Sequence, residues 1–128
     1  VEQACQKDTT LAKKDIKIDF EFIKEKRDYL LRFCDILIIE GAGGLMVPIE
    51  LDTFVIDLIK QLDTKAILIT PSRLGSINDT LLSIEALKNR KIPYDWYVNL
   101  YEDRESFSNV TLPFYENYFK EIKYLDKI

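Results

Sequence analysis

The sequence predicts an α/β fold: a parallel sheet flanked by helices on both faces. Three observations carry that expectation. Short aliphatic runs, DILIIE (35–40), KAILIT (65–70) and DWYVNLY (95–101), show almost no polar alternation, as strands buried on both faces do. Segments with helical apolar spacing separate them. The resulting order of helix, strand, helix, strand, helix, strand is the pattern of βαβ crossovers.

Taken in order, residues 1–15 are polar and give no assignment. Asp19 is placed to cap a helix over 20–33, with Phe22, Ile23, Tyr29, Leu30 and Phe33 on a broad apolar face. The run 35–40 is the first strand, and the loop GAGG follows it. Asp52 is placed to cap a second helix, in which Phe54, Val55, Leu58, Ile59 and Leu62 recur at helical spacing. After the strand KAILIT, the loop PSRLGS leads into a third helix marked by Ile77, Leu81, Ile84 and Leu87. Pro93 breaks the chain before the third strand. The aromatic and charged tail from 102 is expected to hold a last helix. Its rings at 114, 115, 118 and 119 are expected to pack it onto the body or to shelter a base.

Composition bounds the function. With 128 residues, 47% hydrophobic and 31% charged, the chain fits one globular domain, 1–128. A net charge of −4 argues against a nucleic-acid or anionic-membrane surface. No apolar run has the length of a membrane span. Cys5 and Cys34 lack metal-ligand spacing and read as buried or half-buried thiols in a reducing cytoplasm. The absence of histidine excludes a Ser-His-Asp triad, a Cys-His dyad and a His-ligated metal.

The chemistry is expected beyond the carboxyl ends of the strands. All four glycines, Gly41, Gly43, Gly44 and Gly75, lie in the loops after the first two strands. Glu40 ends the first strand, where a carboxylate can hold Mg²⁺ beside a nucleotide phosphate. The glycines behind it would let the backbone approach that ligand. A tight turn with an incidental Glu fits the same residues. GAGGLMVP is not a P-loop, and no GxxxxGK[ST] occurs in the 128 residues. At the second loop, Gly75 can take a positive φ, Ser76 or Asn78 can cap the helix, and Arg73 adds positive charge. Together these form an anion site, or an ordinary capped helix with a solvated Arg. Asn99 ends the third strand, where its amide can match an adenine edge or serve a turn.

Three blocks in this order, IIEGAGGLMVPI, SRLGSINDTLLSIEAL and WYVNL, resemble the later part of the dethiobiotin synthetase family and span most of residues 35–101. The first block alone also resembles the EGAG-type amidoligases of cobalamin synthesis, which carry a long glutaminase extension. The resemblance implies a P-loop NTPase-like α/β domain, of which these residues are part, working as a cytoplasmic homodimer. It implies Mg²⁺ as cofactor and ATP as co-substrate in joining CO2 (or bicarbonate) to 7,8-diaminopelargonic acid.

Residue by residue, the resemblance places Mg²⁺ on Glu40 and the phosphate region on Gly41, Ala42, Gly43 and Gly44. It places adenine on Asn99 and the nucleotide edge, more loosely, on Pro113 and Phe114. The substrate's carboxylate falls to Arg73, Leu74, Gly75, Ser76, Ile77 and Asn78, across the dimer interface. Leu45, Met46 and Val47 are expected as apolar wall or core. The family's P-loop, with its catalytic lysine, has no match in these residues, so no catalytic side chain is assigned. The expectation is that the 128 residues alone neither turn over nor fold stably. Against an active ligase stands a non-catalytic remnant or binding module of the same fold.

Overall fold

The structure, a computed structural model, describes residues 17–125. Residues 1–16, with Cys5, and 126–128 lie outside the described residues. The chain divides into two compact units that meet in sequence between Thr64 and Lys65.

The first unit begins with α1, Phe20–Leu30. Asp19 is its N-cap, as expected, and its carboxylate accepts the Phe22 N–H at 3.0 Å. Glu21 adds negative charge to the first turn and pairs with Lys24 at 2.7 Å. The helix stops three residues short of the expected 33. Arg32 and Phe33 instead donate to the carbonyls of Tyr29 and Leu30, the tighter i→i−3 bonds of a closing turn. None of its residues is buried. The Arg27 guanidinium donates to the Leu62 carbonyl and fixes α1 to the rest of this unit.

The run 35–40 is not a strand, which corrects the sequence reading. It makes no ladder with any described residue, and Ile36 and Ile38 stand 79% and 80% exposed. A strand exists only through a paired neighbour. An aliphatic run can signal burial, but it cannot supply the partner. Cys34 is likewise exposed rather than buried, its thiol donating to the Leu30 carbonyl at 3.4 Å.

A small antiparallel hairpin that the sequence did not announce follows: β1, Pro48–Glu50, with β2, Thr53–Phe54. It takes Thr53 and Phe54 out of the next helix, so α2 runs Val55–Gln61. Asp52 therefore does not cap it. Asp57, three residues past the Phe54 cap position, reaches back to accept the Phe54 N–H at 3.0 Å. Ile56 and Leu62 form the buried part of this unit.

The second unit is the βαβ element the sequence anticipates. Strands β3, Ala66–Pro71, and β4, Tyr94–Asn99, pair in parallel, from Ala66 opposite Tyr94 to Pro71 opposite Asn99. Helix α3, Ser76–Asn89, connects them. Burial alternates along β3: Ala66 and Thr70 are buried, while Ile67 and Ile69 are 60% and 52% exposed. Among the described residues the strand is thus covered on one face, not on both. Thr70 accepts the indole N–H of Trp96 at 2.9 Å, so both polar groups on the buried face are paired.

The tail turns through α4, Arg104–Ser106, a π-helical stretch Phe107–Thr111 and α5, Leu112–Tyr118. Phe107, Thr111 and Tyr115, four residues apart, are all buried. Phe107 and Tyr115 join Ile84, Trp96 and Val98 in the core. Past Phe119 the chain runs beside β4. Val98 N–H donates to Lys123 O at 2.8 Å, and Leu125 N–H donates to Val98 O at 3.0 Å.

Lys65 holds Asp95 at 2.6 Å, with Lys123 further off at 3.8 Å. The Lys65 hydrogen bond is the main cause lowering the Asp95 carboxyl below its ordinary 3.8. A depressed carboxylate stabilises the fold above its unfolded pKa, and the contribution is lost as pH falls through the folded one. Asp95→Asn is accordingly expected to lower the melting temperature slightly at pH 7, as befits an exposed pair. The difference from wild type should close in melts below the depressed pKa. A gap that persists in acid would contradict this.

Candidate functional site

One candidate region is the loop 40–47 of the first unit. Glu40 is exposed and makes no hydrogen bond or ion pair among the described residues. The loop behind it is tied down by backbone bonds: Ile56 N–H to Leu45 O at 2.9 Å, Val55 N–H to Val47 O at 3.0 Å, and Val47 N–H to Gly44 O at 3.2 Å.

These bonds explain two of the three glycines locally. Gly43 has φ +81°, and a Cβ there would stand 2.8 Å from Val47 Cγ2. A Cβ on Gly41 would meet Val55 Cγ1 at 3.0 Å. Only Gly44 faces open space. The sequence reading left ligand approach and a tight turn both open; the loop's own backbone and packing call for glycine at 43 and leave little room for a side chain at 41.

The donor set can be tested against Mg²⁺. No group of three or more acidic or thiol side chains gathers among the described residues. One unpaired carboxylate still fits Mg²⁺, which is commonly held by one or two carboxylates with phosphate oxygens and water filling the other positions.

A separate candidate region lies in the second unit. Because β3 and β4 run parallel with Pro71 opposite Asn99, their following loops leave the sheet side by side. The Ser72 hydroxyl, 1% exposed, donates to the Glu102 carbonyl and joins the two loops. Gly75, at φ +90°, is the N-cap residue of α3. Neither Ser76 nor Asn78 caps the helix, contrary to the sequence reading. The Asn78 amide leans on Asp79 instead, at 3.4 Å. Glycine takes the cap position because the chain enters with positive φ, where a β-branched or bulky residue would be strained.

At the helix start, Ser76 N–H donates to Arg73 O at 3.1 Å and Asp79 N–H to Gly75 O at 3.2 Å. The N–H groups of Ile77 and Asn78 between them have no acceptor among the described residues. The Ser76 hydroxyl is fully buried and also unpartnered among the described residues. Two free N–H groups at the positive end of a helix dipole suit an anion. Arg73 is about half exposed and pairs with Asp79 at 3.1 Å, so part of its charge is spent within the loop.

Asn99 is half-buried, its amide without a bond among the described residues. Pro113 sits in the first turn of α5, and Phe114 stacks on Tyr118 with centroids 5.3 Å apart. The structure thus gathers Arg73–Asn78 and Asn99 at the carboxyl end of the parallel pair, with α5 anchored behind the start of α3 through Tyr115. Glu40–Gly44 belong to the other unit.

Sequence reasoning expected ring 115 to pack the tail onto the body or shelter a base, and it does pack into the core, but the contacts of its hydroxyl with Ser76 and Thr80 were not anticipated. The Tyr115 hydroxyl donates to Ser76 O at 3.1 Å and lies 2.8 Å from Thr80 Oγ1. The only sequence signal was a tyrosine among core-facing aromatics, whose hydroxyl must find a partner when buried. Among the described residues, no helix is long and apolar enough to cross a membrane.

Comparison with known proteins bears on the family of the chain. Residues 2–95 match the model of a family described as AAA domain. The chain is 61% identical over 103 residues to a Sulfurovum protein named ATP-dependent dethiobiotin synthetase, covering 80% of this chain and 49% of that one. Proteins of the same name from Wolinella succinogenes and Thermodesulfovibrio yellowstonii are 42% and 43% identical, over 64% and 66% of this chain and 38% of each relative. The chain spans less than half the length of each of these relatives. The chain belongs to the AAA domain family, and over four fifths of its length it is similar to an ATP-dependent dethiobiotin synthetase.

Proposed function

We propose that this chain is the later part of a longer α/β domain that uses Mg-ATP to join CO2 to 7,8-diaminopelargonic acid, forming dethiobiotin. One amine of the substrate takes up CO2 as a carbamate. The carbamate oxygen accepts the γ-phosphoryl group of ATP. The second amine then closes the ureido ring and phosphate leaves. The observation that carries the reading is the pair of free N–H groups at the start of α3, beside Arg73, in a chain similar to dethiobiotin synthetases.

Each part of the site has a task that needs no histidine. Ile77 and Asn78 N–H receive the substrate's carboxylate, with Arg73 raising the local positive potential. Asn99 offers a donor and an acceptor to the adenine edge. Pro113 and Phe114 line the outer side of the base. Glu40 is one oxygen ligand for Mg²⁺, which when bound offsets the charge on the phosphate oxygens. Gly41–Gly44 keep the backbone close to those phosphates. Catalysis of this kind rests on positioning and charge rather than on covalent chemistry by the protein. The working form in this reading is a cytoplasmic homodimer, with the carboxylate site completed across the subunit interface.

The test is ADP release by the natural full-length protein. Release should require 7,8-diaminopelargonic acid and CO2 together. ATP hydrolysis indifferent to both would reject the reading in favour of another ATP-using member of the fold. Absence of nucleotide binding would favour a non-catalytic binding module.

A further inference from the structure

We propose that Tyr115, supported by Thr80, is a positioning residue for the carboxylate site, holding the Ser76–Ile77 peptide plane so that the Ile77 N–H keeps its direction toward the substrate. The inference rests on the carboxylate reading of the α3 start.

The geometry is specific. A trans peptide is planar, so the Ser76 carbonyl and the Ile77 N–H point in opposite directions from one rigid unit. Whatever grips the carbonyl aims the N–H. Tyr115 Oη donates to that carbonyl at 3.1 Å. Its single proton is thereby committed, so the 2.8 Å contact with Thr80 must be donated by the threonine hydroxyl. Ser76, Thr80 and Tyr115 are all 0% exposed, where such bonds are not exchanged for water.

The phenol is itself held firmly. Its ring meets Trp96 edge-on with centroids 5.2 Å apart and Phe119 at 5.4 Å. Tyr115 therefore carries the rigidity of the core to the first turn of α3. The tail helix would then set substrate affinity without touching substrate.

The test compares 7,8-diaminopelargonic acid with its methyl ester in the natural full-length protein, as the ratio of kcat/KM values. Wild type should prefer the acid. Tyr115→Phe keeps the ring and removes the phenol's hydrogen bond, leaving the Ser76 carbonyl to the helix's own bonding, and should cut that preference roughly 3- to 10-fold, the worth of one hydrogen bond, with KM for ATP unchanged. Thr80→Val should reduce it less, and Thr80→Ser should behave as wild type. If Tyr115→Phe does not fold, the Val and Ser pair at position 80 gives the same reading. Undiminished preference for the acid in Tyr115→Phe, or in Thr80→Val where that is read instead, overturns the inference and leaves the proposed function standing. A wild type indifferent to the ester overturns the carboxylate reading, and this inference with it.

Discussion

Glu40→Ala in the natural full-length protein is expected to lower Mg-dependent turnover by about 10²- to 10³-fold, the scale seen when a group facing transition-state charge is removed. The melting temperature should not move, because the Glu40 side chain is exposed and bonds to nothing among the described residues. Loss of activity through unfolding would show in the melt, whereas loss of a metal ligand would show as a raised Mg²⁺ requirement. Turnover within a few-fold of wild type would mean that Glu40 is the incidental end of a turn.

Gly43→Ala is expected to destabilise the first unit by about 1–2 kcal/mol from its left-handed backbone alone. A contact cost adds to this, because the new Cβ would stand 2.8 Å from Val47 Cγ2. Valine cannot swing aside cheaply, being stiff at χ1. Adding Val47→Ala should recover the contact part and leave the backbone part, a coupling readable in a double-mutant cycle from denaturant unfolding. Strict additivity of the two substitutions would show that the contact is relieved by movement of the loop. Gly44→Ala, which faces open space, should cost little stability, so any loss of turnover there would report on ligand approach.

The βαβ element of residues 66–99 was legible because each of its signals is local. KAILIT and WYVN carry strand composition, Ile77 to Leu87 carry the helical period, and Gly75 and Pro93 mark the joints. The observed α3, the parallel register and the positive φ at Gly75 follow those signals.

Non-local features were not legible. DILIIE has strand composition, but pairing depends on a neighbour that composition does not name, and no described residue provides one. Ile67 and Ile69 read as buried, yet the described residues cover only the other face of β3. Asp57 displaced Asp52 at α2 because an unannounced hairpin consumed Thr53 and Phe54.

The candidate site divides in the same way. Glu40 and Asn99 stand out by chemical type at the ends of aliphatic runs, and Gly75 in the loop that follows one. The hydrogen bonds of Tyr115 to Thr80 and Ser76 span 35 and 39 residues of sequence and are invisible without coordinates. The Arg73–Asp79 pair was equally hidden, and it alters how much free charge the loop offers.

The most direct measurement is incorporation of labelled bicarbonate by the natural full-length protein supplied with Mg-ATP and 7,8-diaminopelargonic acid. The account predicts acid-stable label in the ureido carbon of dethiobiotin, with one ADP formed for each labelled product. Label that fails to enter dethiobiotin, or that enters without ATP consumption, would contradict it.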